Sequence, residues 1–143
     1  MIPFLRKYFG NLIAPLLWTI LVAVLCCLPG RMLPNETGFK IPEFDKLVHA
    51  GMFGGFVFLW ALYLSKKFTD SRRLLRLFFL FFILSNAFGI GMEFLQKCCI
   101  PMRDYDEADI IADMVGAGIG YGLSNMLLLP QFMKKVPEVR EKV

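Results

Sequence analysis

Four long apolar segments constrain the fold of this chain more than any other feature. At about 1.5 Å of rise per residue, each is long enough to cross the hydrocarbon core of a bilayer. The segments cover residues 11–28, 46–65, 74–96 and 108–129. Because backbone polar groups in lipid must be paired internally, each segment is predicted to be a helix. We predict an all-α membrane protein, a bundle of four transmembrane helices in one domain over 1–143, with a short cytoplasmic tail at 130–143.

The composition supports a membrane protein over a soluble domain. The chain has 143 residues, of which 57% are hydrophobic, which is more than an ordinary soluble domain carries. The first segment follows Arg6 and Lys7 and so resembles a secretory signal peptide. No small-residue cleavage site follows it, because the chain continues as Cys26-Cys27-Leu28-Pro29. We therefore interpret the first segment as a retained helix.

The distribution of basic residues predicts the orientation in the membrane. With four spans, both termini and the loop 66–73 lie on one side, and most of the 16 lysine and arginine residues lie there too. The positive-inside rule places that side in the cytoplasm. The net charge of +4 is thereby explained by topology and by contact with anionic lipid, and not by nucleic acid. We predict a multi-pass protein of the bacterial cytoplasmic (inner) membrane.

Acidic residues follow the opposite distribution. Of the 12 acidic residues, only Asp70, Glu138 and Glu141 fall on the predicted cytoplasmic side. Acidic residues contribute little to orientation, so their concentration near the external face needs another reason. Asp106 or Glu107 supplies part of it as the N-cap or first-turn residue of the fourth helix.

The spacing of the remaining polar residues predicts a shared pocket that opens to the external face. Three pairs lie three or four residues apart on successive helices, so each pair shares a helix face. The pairs are Asp45 with His49, Glu93 with Gln96, and Asp109 with Asp113. Arg103 is the nearby cation expected to pair with the acids. An alternative is that Arg103 and Lys46 neutralise these acids in a purely structural polar contact between helices.

Small residues and cysteines give weaker signals. Gly51-x-x-x-Gly55, Gly116-x-x-x-Gly120 and Gly118-x-x-x-Gly122 are typical of helices that pack closely in membranes. The four cysteines form two vicinal pairs, Cys26-Cys27 and Cys98-Cys99. Both pairs lie near the predicted external face, where disulfides can form, but we expect free thiols. The sequence has no Cys-x-x-Cys spacing, so it does not predict a zinc site formed by cysteines.

Several motifs in order resemble the VanZ-like family over roughly residues 12 to 128. They are Asp45-Lys46-x-x-His49, Glu93-x-x-Gln96, Arg103, Asp109 and Asp113, followed by VGAGIG from Val115. The chain has Asp113 where this family usually has asparagine, and Phe53 where a tyrosine is frequent. The resemblance implies a membrane protein of the cell envelope, in a family linked to low-level resistance to teicoplanin-type glycopeptides.

Three classes of function are consistent with these patterns. The first is binding of a membrane lipid, a lipid-linked envelope precursor or a glycopeptide in the pocket. The second is a membrane-embedded enzyme in which His49 is the general acid or base, oriented by Asp45. A divalent cation could take part there, since carboxylate-rich sites suit such ions; its candidate ligands are Asp45, His49, Glu93, Asp109 and Asp113. The third class is a transporter or a structural accessory protein. The sequence contains no cofactor-binding motif.

Overall fold

The computed structural model describes residues 2–29, 44–101 and 103–133, and every regular element in these ranges is a helix. The helices are α1 (Ile2–Phe9), α2 (Ile13–Cys26), α3 (Phe44–Lys67), α4 (Ser71–Cys99), α5 (Glu107–Leu128) and α6 (Pro130–Met133). The all-α prediction is confirmed. Most of the loop 29–45 and the tail beyond Met133 lie outside the described residues.

Three helices, α3, α4 and α5, are long and apolar enough to cross a membrane. They correspond to the predicted second, third and fourth spans. The first span differs from the prediction of one helix over 11–28. Helix α2 has 14 residues and a length of about 21 Å, which is short of a typical hydrocarbon core. A fourth span exists only if α1 and α2, which are bent by 72° at their junction, count together.

The bend between α1 and α2 has a local cause. The Asn11 side chain accepts a hydrogen bond from the Ala14 backbone N–H at 3.0 Å, so Asn11 caps the start of a new helix. Pro15 follows in the first turn of α2, where the absence of its N–H costs little. These residues begin α2 afresh and do not continue α1.

The closest helix contact joins α3 to α5 through residues without bulky side chains. A Cβ atom on Gly116 would collide with the carbonyl oxygen of Ala50, and one on Gly120 would collide with that of Gly54. A Cβ on Gly54 would lie 2.8 Å from the Gly116 carbonyl oxygen. The two backbones therefore touch, as in close-packed membrane helices.

The other predicted glycine motifs do not form this contact. A Cβ on Gly51, Gly118 or Gly122 would meet nothing within 4 Å. Gly55 lies against the indole ring of Trp18. Of the three motifs, only Gly116-x-x-x-Gly120 forms the contact between α3 and α5, and it packs against Ala50 and Gly54.

Two indole N–H groups attach α2 to α3. Trp18 donates to the backbone oxygen of Met52 at 2.9 Å, and Trp60 donates to the Thr19 hydroxyl at 3.2 Å. The Trp60 ring also stacks on Phe81 of α4, with ring centroids 4.7 Å apart. Helix α3 thus contacts α2, α4 and α5, which makes it the centre of the fold.

Candidate functional site

Polar side chains gather at the end of the fold where α3 and α5 begin and α4 finishes. We call this the polar end, and its polar cluster consists of Lys46, His49, Glu93, Asp106, Asp109 and Asp113. His49, Glu93, Asp109 and Asp113 are all buried. Ionisable groups inside membrane-spanning helices are costly and typically face partners within the protein. The polar cluster contains such partners for each buried member.

His49 is hydrogen bonded to Asp113. The distance from His49 Nδ1 to Asp113 Oδ1 is 2.9 Å. When Asp113 is ionised its carboxylate can only accept, and Nδ1 is then the donor. His49 Nε2 faces Asp109, with 3.7 Å between Nε2 and Oδ2. Asp109 and Asp113 lie four residues apart on one face of α5, so the two acids contact opposite edges of the imidazole ring.

Gly89 of α4 provides the space for the Asp113 carboxylate. A Cβ at Gly89 would lie 2.7 Å from Asp113 Oδ2 and 3.1 Å from a ring carbon of Phe53. Any side chain at position 89 would therefore occupy space that the Asp113 carboxylate fills. Gly89 keeps Asp113 in reach of His49.

Lys46 pairs with acids at the solvent-facing edge of the cluster. Its Nζ atom lies 3.1 Å from Asp45, 3.2 Å from Asp106 and 3.5 Å from Asp109. Lys46 thus connects the first turn of α3 to the start of α5. The alternative interpretation of the sequence was a structural contact in which Lys46 and Arg103 neutralise the acids. This geometry is consistent with that role for Lys46.

Glu93 and Asp106 join the end of α4 to the start of α5. Glu93 Oε1 accepts from the Asp106 backbone N–H at 2.6 Å. Asp106 in turn caps α5, accepting from the Ala108 N–H at 2.8 Å, as predicted for Asp106 or Glu107. That bond and the Lys46 ammonium lower the pKa of Asp106 below its ordinary range. Ionised Asp106 therefore stabilises the folded protein above the ordinary aspartate pKa, and this stabilisation is lost as the pH falls through the lowered pKa.

Gln96 has a different role from the one predicted. Its side-chain N–H donates to the backbone oxygen of Cys26 at 2.8 Å, and the residue is fully buried. The last carbonyl groups of a helix lack partners within that helix. Gln96 therefore ties the end of α2 to α4 and does not face the acids.

Arg103 is not paired with the acids that it was predicted to neutralise. Its Nε atom is buried without a hydrogen-bond partner, and no ion pair joins Arg103 to any residue within 2–29, 44–101 or 103–133. The guanidinium nevertheless lies within electrostatic range of His49 and Cys26. The positive charge of Arg103 therefore lies near the polar cluster but forms no ion pair with its acids.

Asp45 also departs from the prediction. Its side chain is 62% exposed and contacts Lys46, so it does not orient the imidazole of His49. Asp113 does so instead. The interpretation based on spacing failed because an i,i+4 pair shares a face without facing the same neighbour. Lys46 and Asp106 were not among the candidate site residues, but both belong to the polar cluster. Lys46 lies next to Asp45 in sequence, and Asp106 lies three residues before Asp109.

The five predicted metal ligands do not form one ligand set. In the part of the chain that the structure describes, no group of three or more histidine, cysteine, aspartate or glutamate side chains is arranged to hold a metal ion. His49, Asp109 and Asp113 meet, whereas Asp45 faces outward and Glu93 contacts a backbone N–H. All four cysteines lie in the described ranges and are free thiols, as expected.

Comparisons of the chain with protein-family models, curated proteins and solved structures found no match. The resemblance to the VanZ-like family therefore stays a prediction that depends on the motifs alone. The function must be argued from the polar end itself.

Proposed function

We propose that this protein is a multi-pass protein of the bacterial inner membrane that binds the polar head of a lipid-linked envelope ligand. In this proposal α2 makes the first of four passes, α1 is bent away from it along the cytoplasmic interface, and both termini lie in the cytoplasm. The excess of basic residues on that side supports the orientation. The polar end then faces outward, at the level where head groups of the outer leaflet lie.

Arg103 is the observation that carries the proposal. Its Nε is enclosed without a partner, and leaving a charged donor unpaired in a protein is costly. The acids beside it are engaged with Lys46, with His49 and with the Asp106 backbone. A guanidinium presents several donors in a planar fork that matches a phosphate or a carboxylate. An anionic head group would give the Arg103 guanidinium the counter-charge that no ion pair within the described residues supplies.

The binding prediction compares a phosphate-bearing lipid with its neutral counterpart. The full chain in detergent micelles is titrated with a polyprenyl monophosphate and with the polyprenol of the same length, and bound lipid is counted by native mass spectrometry. We expect tighter binding of the phosphate. Arg103→Gln should weaken that binding at least about tenfold, since hydrogen bonds to charged groups contribute roughly 1.5–3 kcal/mol.

Two further variants separate Arg103 from general charge effects. Lys97→Gln removes one exposed positive charge near the same end of α4 and should leave binding unchanged. Arg103→Lys keeps the charge but loses the planar fork, so its affinity should lie between wild type and Arg103→Gln. Equal affinity for phosphate and polyprenol, or an equal loss in Lys97→Gln, would contradict the proposal.

A link to glycopeptide tolerance follows from the VanZ-like resemblance and is part of the proposal. Expression of the chain in a susceptible bacterium should raise teicoplanin tolerance, and Arg103→Gln should remove the increase at equal membrane abundance. Tolerance that is unchanged by Arg103→Gln would separate any resistance from the polar end.

The contact between His49 and Asp113 favours a second candidate, a membrane-embedded enzyme with acid–base chemistry. A carboxylate bonded to Nδ1 fixes the tautomer and orientation of an imidazole, which leaves Nε2 to exchange a proton. An enzyme should change the membrane lipids or envelope precursors of cells that overexpress it, and Asp113→Asn should abolish the change. Mass spectrometry of extracted lipids that shows no new or depleted species would exclude this candidate in favour of binding alone.

A further inference from the structure

A shallow basic cleft, largely open to the surface, lies at the end of the fold opposite to the polar end. It has a volume of about 460 Å³ and is lined by Pro3, Arg6, Lys7 and Lys66. Three of these four residues are cations, and no acidic side chain of the described ranges lines the cleft. Such a concentration of one sign of charge attracts anions.

The cleft is formed by the contact of α1 with the end of α3. Arg6 donates to the backbone oxygen of Ser65 at 2.6 Å, and its guanidinium lies over the ring of Phe132, 5.4 Å from the centroid. The first contact holds α1 beside the last turn of α3, and the second joins it to α6. Lys7 and Lys66 are thereby brought to the same opening although they are far apart in sequence.

Helix α1 has the features of a helix that lies in a membrane interface. It is bent by 72° from α2, so α1 lies close to the membrane plane when α2 crosses the bilayer. Phe4 and Tyr8 are 60% and 54% exposed, and their rings are 4.7 Å apart. Exposed aromatic rings beside basic residues are typical of helices that insert at the level of lipid head groups.

We propose that this basic cleft binds the phosphate of an anionic membrane lipid. The inference depends on the membrane embedding proposed above but not on the Arg103 site, which is at the other end of the fold. The aromatic face of α1 inserts among the acyl chains, and the ammonium groups of Lys7 and Lys66 contact the head group. The cleft therefore retains anionic lipids in preference to zwitterionic ones.

The test measures lipid preference on the full chain. Native mass spectrometry of the protein in detergent, titrated with phosphatidylglycerol and phosphatidylcholine of identical acyl chains, gives the ratio of the two affinities. We expect wild type to prefer phosphatidylglycerol. Each of Lys7→Gln and Lys66→Gln should lower its affinity about fivefold, since a basic residue near an anionic surface contributes on this scale. The double variant should lose roughly the product, about 25-fold.

The matched control is Lys67→Gln with Arg72→Gln. It removes two exposed charges at the same end of the molecule, and neither residue lines the cleft. We expect it to keep the wild-type preference. An equal loss in this control would show that diffuse surface charge attracts the lipid, and a wild type without preference would overturn the proposal directly.

Free phosphate distinguishes a lipid site from a site for a soluble anion. Inorganic phosphate at the same concentration as the lipid should not displace phosphatidylglycerol, because it lacks the acyl chains. Full displacement would overturn the assignment to a lipid. If Arg103→Gln loses binding of the polyprenyl monophosphate but keeps the preference for phosphatidylglycerol, the Arg103 site and the basic cleft are two separate sites, as both proposals expect.

Discussion

Replacement of Gly116 by alanine is expected to lower the free energy of unfolding by about 3 kcal/mol, near the upper end of the cost of overpacking. The new Cβ would collide with the carbonyl oxygen of Ala50, which belongs to a helix backbone and cannot rotate away. Helices α3 and α5 must then separate along their closest contact. Unfolding in mixed micelles titrated with SDS measures the change.

Two glycines of the same helix serve as controls for this prediction. A Cβ on Gly118 or Gly122 meets nothing within 4 Å, so Gly118→Ala and Gly122→Ala should be neutral or slightly stabilising because alanine favours a helix. Gly120→Ala should behave like Gly116→Ala, since its Cβ would meet the Gly54 carbonyl oxygen. Similar effects at all four positions would mean that the contact between α3 and α5 does not depend on backbone approach.

Removal of the His49 side chain is expected to cost about 3–5 kcal/mol, the range for breaking a buried charged pair by deleting one partner. In His49→Ala, Asp113 loses its 2.9 Å partner and Asp109 loses the ring that it faces. The two buried carboxylates are then left close together on one face of α5. The same SDS titration measures the loss.

A double-mutant cycle isolates the contribution of the pair. Asp113→Ala alone should also destabilise, but adding it to His49→Ala should restore part of the lost stability because it removes the unpaired carboxylate. His49→Asn is the conservative variant, since its side-chain amide can donate to Asp113 from near the position of Nδ1. Strict additivity of the two alanine substitutions would contradict a direct coupling between His49 and Asp113.

Hydropathy and charge in the sequence were sufficient to predict three of the helices and most of the site. An apolar run such as 74–96 can satisfy its backbone in lipid only as a helix, and the structure has α4 across that range. The positions of His49, Asp109 and Asp113 near helix starts predicted that they would lie at one end. The predicted first segment, 11–28, begins two residues before α2, whereas the separate helix α1 was not predicted, because its boundary depends on a local hydrogen bond of Asn11 that hydropathy does not register.

The sequence by itself determined which residues share a face within each helix, because the α-helix has a fixed period. Only the tertiary structure decided which faces meet. Backbone contact at Gly116 and Gly120 sets the register of α5 against α3, and that register places Asp113 against His49. It also leaves Arg103 without an acidic partner. The rotation and register of one helix against another depend on packing between segments distant in sequence, and helical periodicity carries no information about them.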